Sequence, residues 1–436
     1  MNLRSMVLLM VVTAATAVKA QTGQWMTVDE LFQLVESNSK TLQTKKTSVE
    51  FAHIGIEAAR AQRLPDINAT LSASYNGNVV VMNRDFTQAQ GFSAPHLGNS
   101  FALEAQQVVY AGGAIDAGIR MAELQRDAAQ SSLQAELNAQ RFMALGQYLD
   151  LFKLQNRIRV YEKNIELTGR LLTDIRSKYE QGMVLKNDIT RYELQLETLK
   201  LGLRRLQDQR SIQNHQLCNT LGLPDGTLVQ PDTTLIEHAT DRQTQEAEWQ
   251  STALQHSPLM AQAEVGTRMA EQELRLTRSE LLPKVALFAA DNFSGPFTYD
   301  LPPVDKNINV WYVGIGVKYS LSSLFKSNKR IRQAETGIIR SREQQAVTAE
   351  QLNNQMQQAY TLYEQSFAEL HTQQKSVALA QQNYEVVSAR YLDQLALITD
   401  MIDASNIKLN AELQEVDARI NIVYAYYRMK YIAGEI

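Results

Sequence analysis

The sequence is short of the residues that punctuate, staple or anchor a chain. Of 436 residues only 9 are proline and 20 glycine, so turn-rich architecture is confined to a few places and long helices are the expectation. A single cysteine, Cys218, excludes an intramolecular disulfide and any metal site built from several thiolates. Neither sign of charge dominates: 43 Lys and Arg against 47 Asp and Glu leave −4, which argues against a surface devoted to gripping nucleic acid. Beyond Gln21 there is no uninterrupted apolar run of the roughly 20 residues that a spanning helix needs. Entry into a bilayer would therefore have to use β-strands.

Catalytic and cofactor chemistry is also missing. The six histidines (His53, His96, His215, His238, His256 and His371) are scattered, with no two at metal-ligand helical spacing. His215 and Cys218, at i and i+3, form a lone pair that suits ordinary packing better than nucleophilic chemistry. Ala111-Gly112-Gly113-Ala114 is no phosphate loop, because no Gly-Lys-Ser/Thr follows. The carboxylates are spread along helices rather than paired. No enzyme, metal site or cofactor is expected.

What is there begins with a leader. Met1 to Ala20 carries Arg4, an apolar stretch from Met6 and the small-residue ending Val18-Lys19-Ala20, the layout of a secretory signal peptide over residues 1–20. Its removal takes the formal charge from −4 to −6.

The remainder is written twice. Ser39, Arg60, Leu64 and Pro65 match Ser257, Arg278, Leu282 and Pro283 at one offset, 218. Ile158, Ile165, Thr168, Leu172, Ile175, Tyr179 and Asp188 match Leu370, Val377, Ala380, Tyr384, Val387, Tyr391 and Asp400 at another, 212. The second copy is thus six residues shorter somewhere after Pro283, a deletion expected in the strand-loop-strand region. The spacing predicts a first repeat over 21–223 with a β-hairpin near 66–110, a linker over 224–248, and a second repeat over 249–436 with a hairpin near 284–321. Each repeat reads helix, β-hairpin, long helix, helix. Proline-free stretches from Ala114 to Gln181 and from about Lys326 to Gln394 carry narrow apolar stripes at steps of three and four. A continuous helix over 114–181 would be about 100 Å long, more than a compact globule holds.

Between the helices the period drops to 2. Ile67, Ala69, Leu71, Ala73 and Tyr75 alternate with polar residues, as do Phe101, Leu103, Ala105 and Val109, then Trp311, Val313, Ile315, Val317 and Tyr319. Val285 to Asn292 is a strand by position, but too uniformly apolar for its faces to be assigned. Such strands are long enough to cross a bilayer when tilted. Four of them cannot close a barrel, and open edges in hydrocarbon would leave backbone groups unpaired. Two copies would supply eight strands around a filled interior; three would supply twelve and a wider lumen, and three is the expectation. The competing readings are a non-channel periplasmic coiled-coil scaffold, and a soluble secreted protein that would need a cover for Leu71, Phe101 and Trp311.

These residues resemble the TolC family of outer membrane efflux proteins. The likeness rests on the duplicated Leu-Pro ahead of a strand and on Gln107-Val108-Val109-Tyr110-Ala111-Gly112-Gly113 entering the long helix. It extends to Lys178-Tyr179-Glu180-Gln181-Gly182 with Asp188, and to Leu217-Cys218-Asn219-Thr220-Leu221-Gly222-Leu223-Pro224 at the close of the first repeat. The resemblance implies a mainly α fold with a transmembrane β-barrel: a homotrimer with a 12-stranded barrel in the outer membrane and a periplasmic helical tunnel. It implies a passive exit duct serving an inner membrane pump through a periplasmic adaptor, in contact with outer membrane lipid. Carried onto this sequence, the periplasmic tip and adaptor contact fall on Tyr179, Gly182, Leu185, Asp188, Tyr391, Leu395, Leu397 and Asp400. Asp393 is the candidate gate, and Pro65, Pro283, Gly112 and Gly113 mark the strand-helix transitions. The second copy reads Tyr391-Leu392-Asp393-Gln394-Leu395-Ala396-Leu397, without a counterpart to Gly182, so the two tips are expected to differ in shape and in adaptor contact.

Overall fold

The computed structural model describes residues 23–224, 226–232 and 245–436. The leader at 1–20 and the middle of the predicted linker, 233–244, lie outside the described residues. The chain forms two compact units. One gathers the chain up to Leu42, Glu136–Ala253 and Asn353–Ile436; the other gathers Gln43–Ala135 and Leu254–Leu352.

The second unit is built on a sheet. Its strands are β2 (Asp66–Tyr75), β5 (Leu97–Tyr110), β7 (Lys284–Gly295) and β8 (Ile308–Lys318), each antiparallel to its neighbour in the order β2-β5-β7-β8. The two predicted hairpins are therefore one sheet, joined through β5 and β7, with β2 and β8 as its free edges. A small hairpin of β3 (Val79–Val81) and β4 (Gln90–Phe92) fills the longer first loop, whereas a single bridge between Phe297 and Val304 spans the second. The second copy is shortened in this region, as its offsets require. The same unit holds α6 (Pro258–Ser279) and parts of α2 (Lys40–Ala61), α3 (Ala114–Glu180) and α7 (Ser323–Leu392). Proline at the first position of α6 loses no hydrogen bond, since its N–H would be unpaired there anyway.

Duplication is preserved down to an ion pair. Arg60 meets Glu123 at 3.4 Å between α2 and α3, and the residues equivalent in the second copy, Arg278 and Glu335, meet at 2.8 Å between α6 and α7.

Among the described residues, the first unit is helical apart from one pair of short strands. It contains α1 (Val28–Asn38), α4 (Lys186–Leu221), α8 (Ile398–Ala433) and most of α5 (Glu246–His256), with the later parts of α3 and α7. Thr27 starts α1 with a reciprocal cap: its Oγ1 accepts from Glu30 N at 3.2 Å, and its N–H donates to Glu30 Oε2 at 2.9 Å. Helix α4 stops where Gly222 turns left-handed, φ 65°, and Leu223 N donates to the Cys218 carbonyl at 2.9 Å. Part of the stretch read as a linker is structured: β6 (Leu228–Pro231) pairs in parallel with β1 (Gly23–Met26). Buried Tyr148 ties this pair to α3, donating to the Met26 carbonyl at 2.7 Å and accepting from Asp232 N at 2.8 Å. Cys218 is buried and donates to the Thr227 carbonyl at 3.4 Å, while His215 is bonded to Asn219 at 3.1 Å.

Candidate functional site

The register gives the sheet two chemically opposite faces. Direct partners across antiparallel strands share a face. One face carries Ile67, Ala69, Leu71 and Tyr75, then Ala105, Leu103, Phe101 and Leu97, then Ala289 and Phe293, then Val313 and Trp311. Leu71 is 81% and Trp311 73% exposed, a surface that water does not tolerate over a whole sheet. Asp291, between Leu103 and Trp311, is the one charge among these paired positions. The opposite face is predominantly polar, with Asn68, Thr70, Ser72, Ser100, Glu104, Asn292, Ser294, Tyr312 and Lys318, and carries Ala102, Ala290, Ile308 and Val310 among them. Phe288 lies on this face over Gly314, where an added Cβ would come within 2.6 Å of the ring. The faces of β7, which its own composition leaves unassigned, are settled by pairing with β5 and β8.

At the foot of the sheet Pro65 and Pro283 stand immediately before β2 and β7. Gly112 and Gly113 lead from β5 into α3 with φ of 65° and 86°. At Gly112 a Cβ would lie 2.7 Å from the Ser279 carbonyl oxygen and 2.8 Å from Leu282 Cβ, so space as well as backbone conformation requires glycine there.

In the helical unit, the turns joining α3 to α4 and α7 to α8 lie close together. Leu171, Leu172, Ile175 and Tyr192 of the first copy share a buried cluster with Tyr391, Ile398 and Met401 of the second. Lys178 Nζ donates to the Leu392 carbonyl, and Gln195 donates to Asn406 at 2.7 Å. The expectation that the tips differ in backbone shape is corrected. Gly182, φ 74°, donates its N–H to the Tyr179 carbonyl, and Met183 N to that of Lys178; Gln394, φ 63°, and Leu395 repeat these bonds to Tyr391 and Arg390. A non-glycine residue adopts the left-handed conformation because the surrounding turn, the same in both copies, imposes it. Asp188 and Asp400 each accept from the backbone N–H three residues earlier, of Leu185 at 3.4 Å and Leu397 at 3.1 Å.

Side-chain environments separate the tips. Tyr179 is 43% exposed and Tyr391 only 4%. The Tyr391 hydroxyl is buried with no hydrogen-bond partner among the described residues. Burial, reinforced by the Asp188 carboxylate, pushes its phenol up to about 12. Burial also raises Tyr192 and Tyr384. Leu185, Leu395 and Leu397 are exposed, and so is Asp393, whose N–H donates to the Ala389 carbonyl at 3.0 Å. The structure thus groups Tyr391 with residues that periodicity did not single out as tip elements, Tyr192 and Met401, and leaves Asp393 outside that cluster. Helix α8 also buries Lys408, whose ammonium lies 4.6 Å from the centre of the Tyr384 ring; burial lowers its pKa. Among the described residues no group of three His, Cys, Asp or Glu could hold a metal ion, and no helix is long and apolar enough to cross a membrane.

Comparison with known proteins identifies this constellation. The family profile described as outer membrane efflux protein matches residues 31–223 and 249–435, one segment for each repeat. The outer membrane efflux protein BepC of Brucella suis biovar 1 (strain 1330) is 19% identical over 403 residues, covering 91% of this chain and 83% of BepC. Among solved structures, the outer membrane protein VceC of Vibrio cholerae aligns with a TM-score of 0.75 at 16% identity, over 93% of this chain and 96% of VceC. CusC aligns with a TM-score of 0.77 at 15% identity, over 93% of this chain and 91% of CusC.

Proposed function

The chain belongs to the outer membrane efflux protein family, and from that premise we propose how its parts divide the labour of an exit duct. The protein is an outer membrane channel through which substrates leave passively. Its family is one of transport channels, so free energy for export has to come from elsewhere in the system. Three copies, each contributing β2, β5, β7 and β8, close a 12-stranded barrel. The apolar face lies against lipid and the polar face against water, as a barrel with an aqueous lumen requires. The observation that carries this reading is the register-matched apolar face bounded by two free edges, β2 and β8. A periplasmic scaffold has no use for such a face.

The leader directs the chain across the inner membrane and is removed after Ala20. The helices then form a periplasmic tunnel, and the two tips meet an adaptor that links the duct to an inner membrane pump. Tyr179, Gly182, Leu185 and Asp188 form the contact tip of the first copy, and Leu395 and Leu397, on the turn shaped by Tyr391 and Asp400, that of the second. The exposed leucines give the adaptor apolar purchase, while the buried tyrosine and the aspartate caps hold the turns in shape. Asp393, repeated around the axis, forms an acidic ring that attracts cations and narrows the entrance.

Two measurements test this. The detergent-extracted assembly should have the mass of three chains; a monomer would overturn the barrel. In planar bilayers the wild-type protein should conduct, and Asp393→Ala should weaken cation selectivity and open the channel further. Unchanged selectivity and opening would remove Asp393 from the gate while leaving the duct intact.

A further inference from the structure

At the foot of the sheet, among the Gly112–Gly113 turn, α3 and α6, lies a cleft of about 640 Å³. Four guanidinium groups line it, from Arg63, Arg120, Arg275 and Arg278, against two carboxylates, Asp116 and Glu123, a surplus of two positive charges. Asp116 meets Arg63 at 2.5 Å, Glu123 meets Arg120 at 2.7 Å, and Arg278 is paired with Glu335. Arg275 has no carboxylate partner among the described residues; it donates a hydrogen bond to Gln272 Oε1 at 3.5 Å. The cleft sits on a definite side of the sheet. Gln107 continues the apolar-face row of Phe101, Leu103 and Ala105, and its Nε2 donates to the Arg63 carbonyl at 2.5 Å. The backbone at Arg63 therefore lies on the apolar side of β5, while its guanidinium turns to Asp116 of α3.

We propose that this cleft seats the phosphate group of an anionic phospholipid, whose acyl chains continue up the apolar face of the sheet. Guanidinium groups match phosphate oxygens in pairs of parallel hydrogen bonds. The carboxylates already present are weak competitors, because water screens solvent-exposed ion pairs and holding two long side chains in one geometry costs entropy. Arg275 is the cation free to take up the ligand, and Arg63 and Arg278 stand on the same rim. The inference rests on the outer membrane placement of the sheet.

The test uses the purified assembly in mild detergent, with phosphatidylglycerol, phosphatidylethanolamine and inorganic phosphate as separate probes. Native mass spectrometry should show phosphatidylglycerol retained about tenfold over phosphatidylethanolamine, falling to equal retention in Arg275→Gln and partly restored in Arg275→Lys. Equal retention of the two lipids by the wild type, or a preference that Arg275→Gln leaves unchanged, would overturn the proposal. So would inorganic phosphate raising the unfolding temperature of the wild type but not of Arg275→Gln without any lipid preference, since the cleft would then take free phosphate. Conductance recorded on the same preparations keeps the two readings apart: a conducting wild type without lipid preference sinks the lipid site alone, and a non-conducting one sinks the duct.

Discussion

The two helix tips have the same backbone and opposite tyrosines. Gly182 and Gln394 both turn left-handed, the same carbonyls accept the same N–H groups, and Asp188 and Asp400 cap the helices that follow. Yet Tyr179 lies open to solvent and Tyr391 is packed against Tyr192 and Met401. Duplication therefore fixed the path of the chain, and divergence acted on what each side chain touches. The first-copy tip presents its aromatic residue outward; the second-copy tip uses the equivalent residue to hold both turns together.

The contrast can be broken by substitution. Tyr391→Ala should cost about 3–5 kcal/mol by opening a cavity in the shared cluster, whereas Tyr179→Ala should cost under about 1 kcal/mol. Denaturant unfolding of each variant, with hydrogen exchange read at both turns, checks this; equal losses would mean the tyrosines are equivalent. Next in size is the left-handed residue. Gln394→Gly should stabilise the second turn by about 1 kcal/mol and Gly182→Gln should destabilise the first by a similar amount, because only glycine adopts this conformation without steric cost. Opposite signs in thermal unfolding are expected, and a shared sign would show that the turns differ in strain. A smaller effect should come from the helix caps: Asp188→Ala and Asp400→Ala should each cost about 0.5–1 kcal/mol, seen as faster exchange in the first turns of α4 and α8.

Alkali sharpens the comparison without altering the packing. The Tyr391 phenol is neutral in both folded and unfolded chains below pH about 10, the ordinary tyrosine value, and in the fold it ionises only near 12. Between those values the unfolded chain releases the proton first, so the stability that neutral Tyr391 supplies is lost as pH rises from about 10 to about 12. Tyr391→Phe should therefore unfold at higher pH than the wild type. The wild-type minus variant tyrosinate absorbance should titrate near 12; a midpoint near 10 would place Tyr391 in water.

Much of this was legible in the sequence, and the gaps have physical causes. The long helices, the return helices and the position of every strand of the four-stranded sheet follow from periodicity and from where proline and glycine fall. The faces of β7 do not, because Ala286, Leu287, Phe288, Ala289 and Ala290 suit either side; only register with β5 and β8 decides. β6 is four residues long, too short for alternation to show, and pairs with β1 at the start of the described chain. Gln394 has no local propensity for a left-handed turn, so its conformation is visible only by analogy with Gly182. Tyr179 and Tyr391 occupy equivalent places in the repeat, and periodicity does not foretell which is buried, since the side chains packed around Tyr391 come from both copies: Leu171, Leu172, Ile175 and Tyr192 of the first, Ile398 and Met401 of the second.

The free edges β2 and β8 carry a genetic consequence. A strand edge that must find another copy makes each chain's quality a matter for its neighbours. If one allele encodes a subunit that folds but cannot pair at an edge, and both alleles are expressed equally, random assembly in threes leaves only about one channel in eight free of it. Substitutions that disable an edge while sparing the rest of the sheet should therefore be dominant, and those that unfold the whole chain recessive.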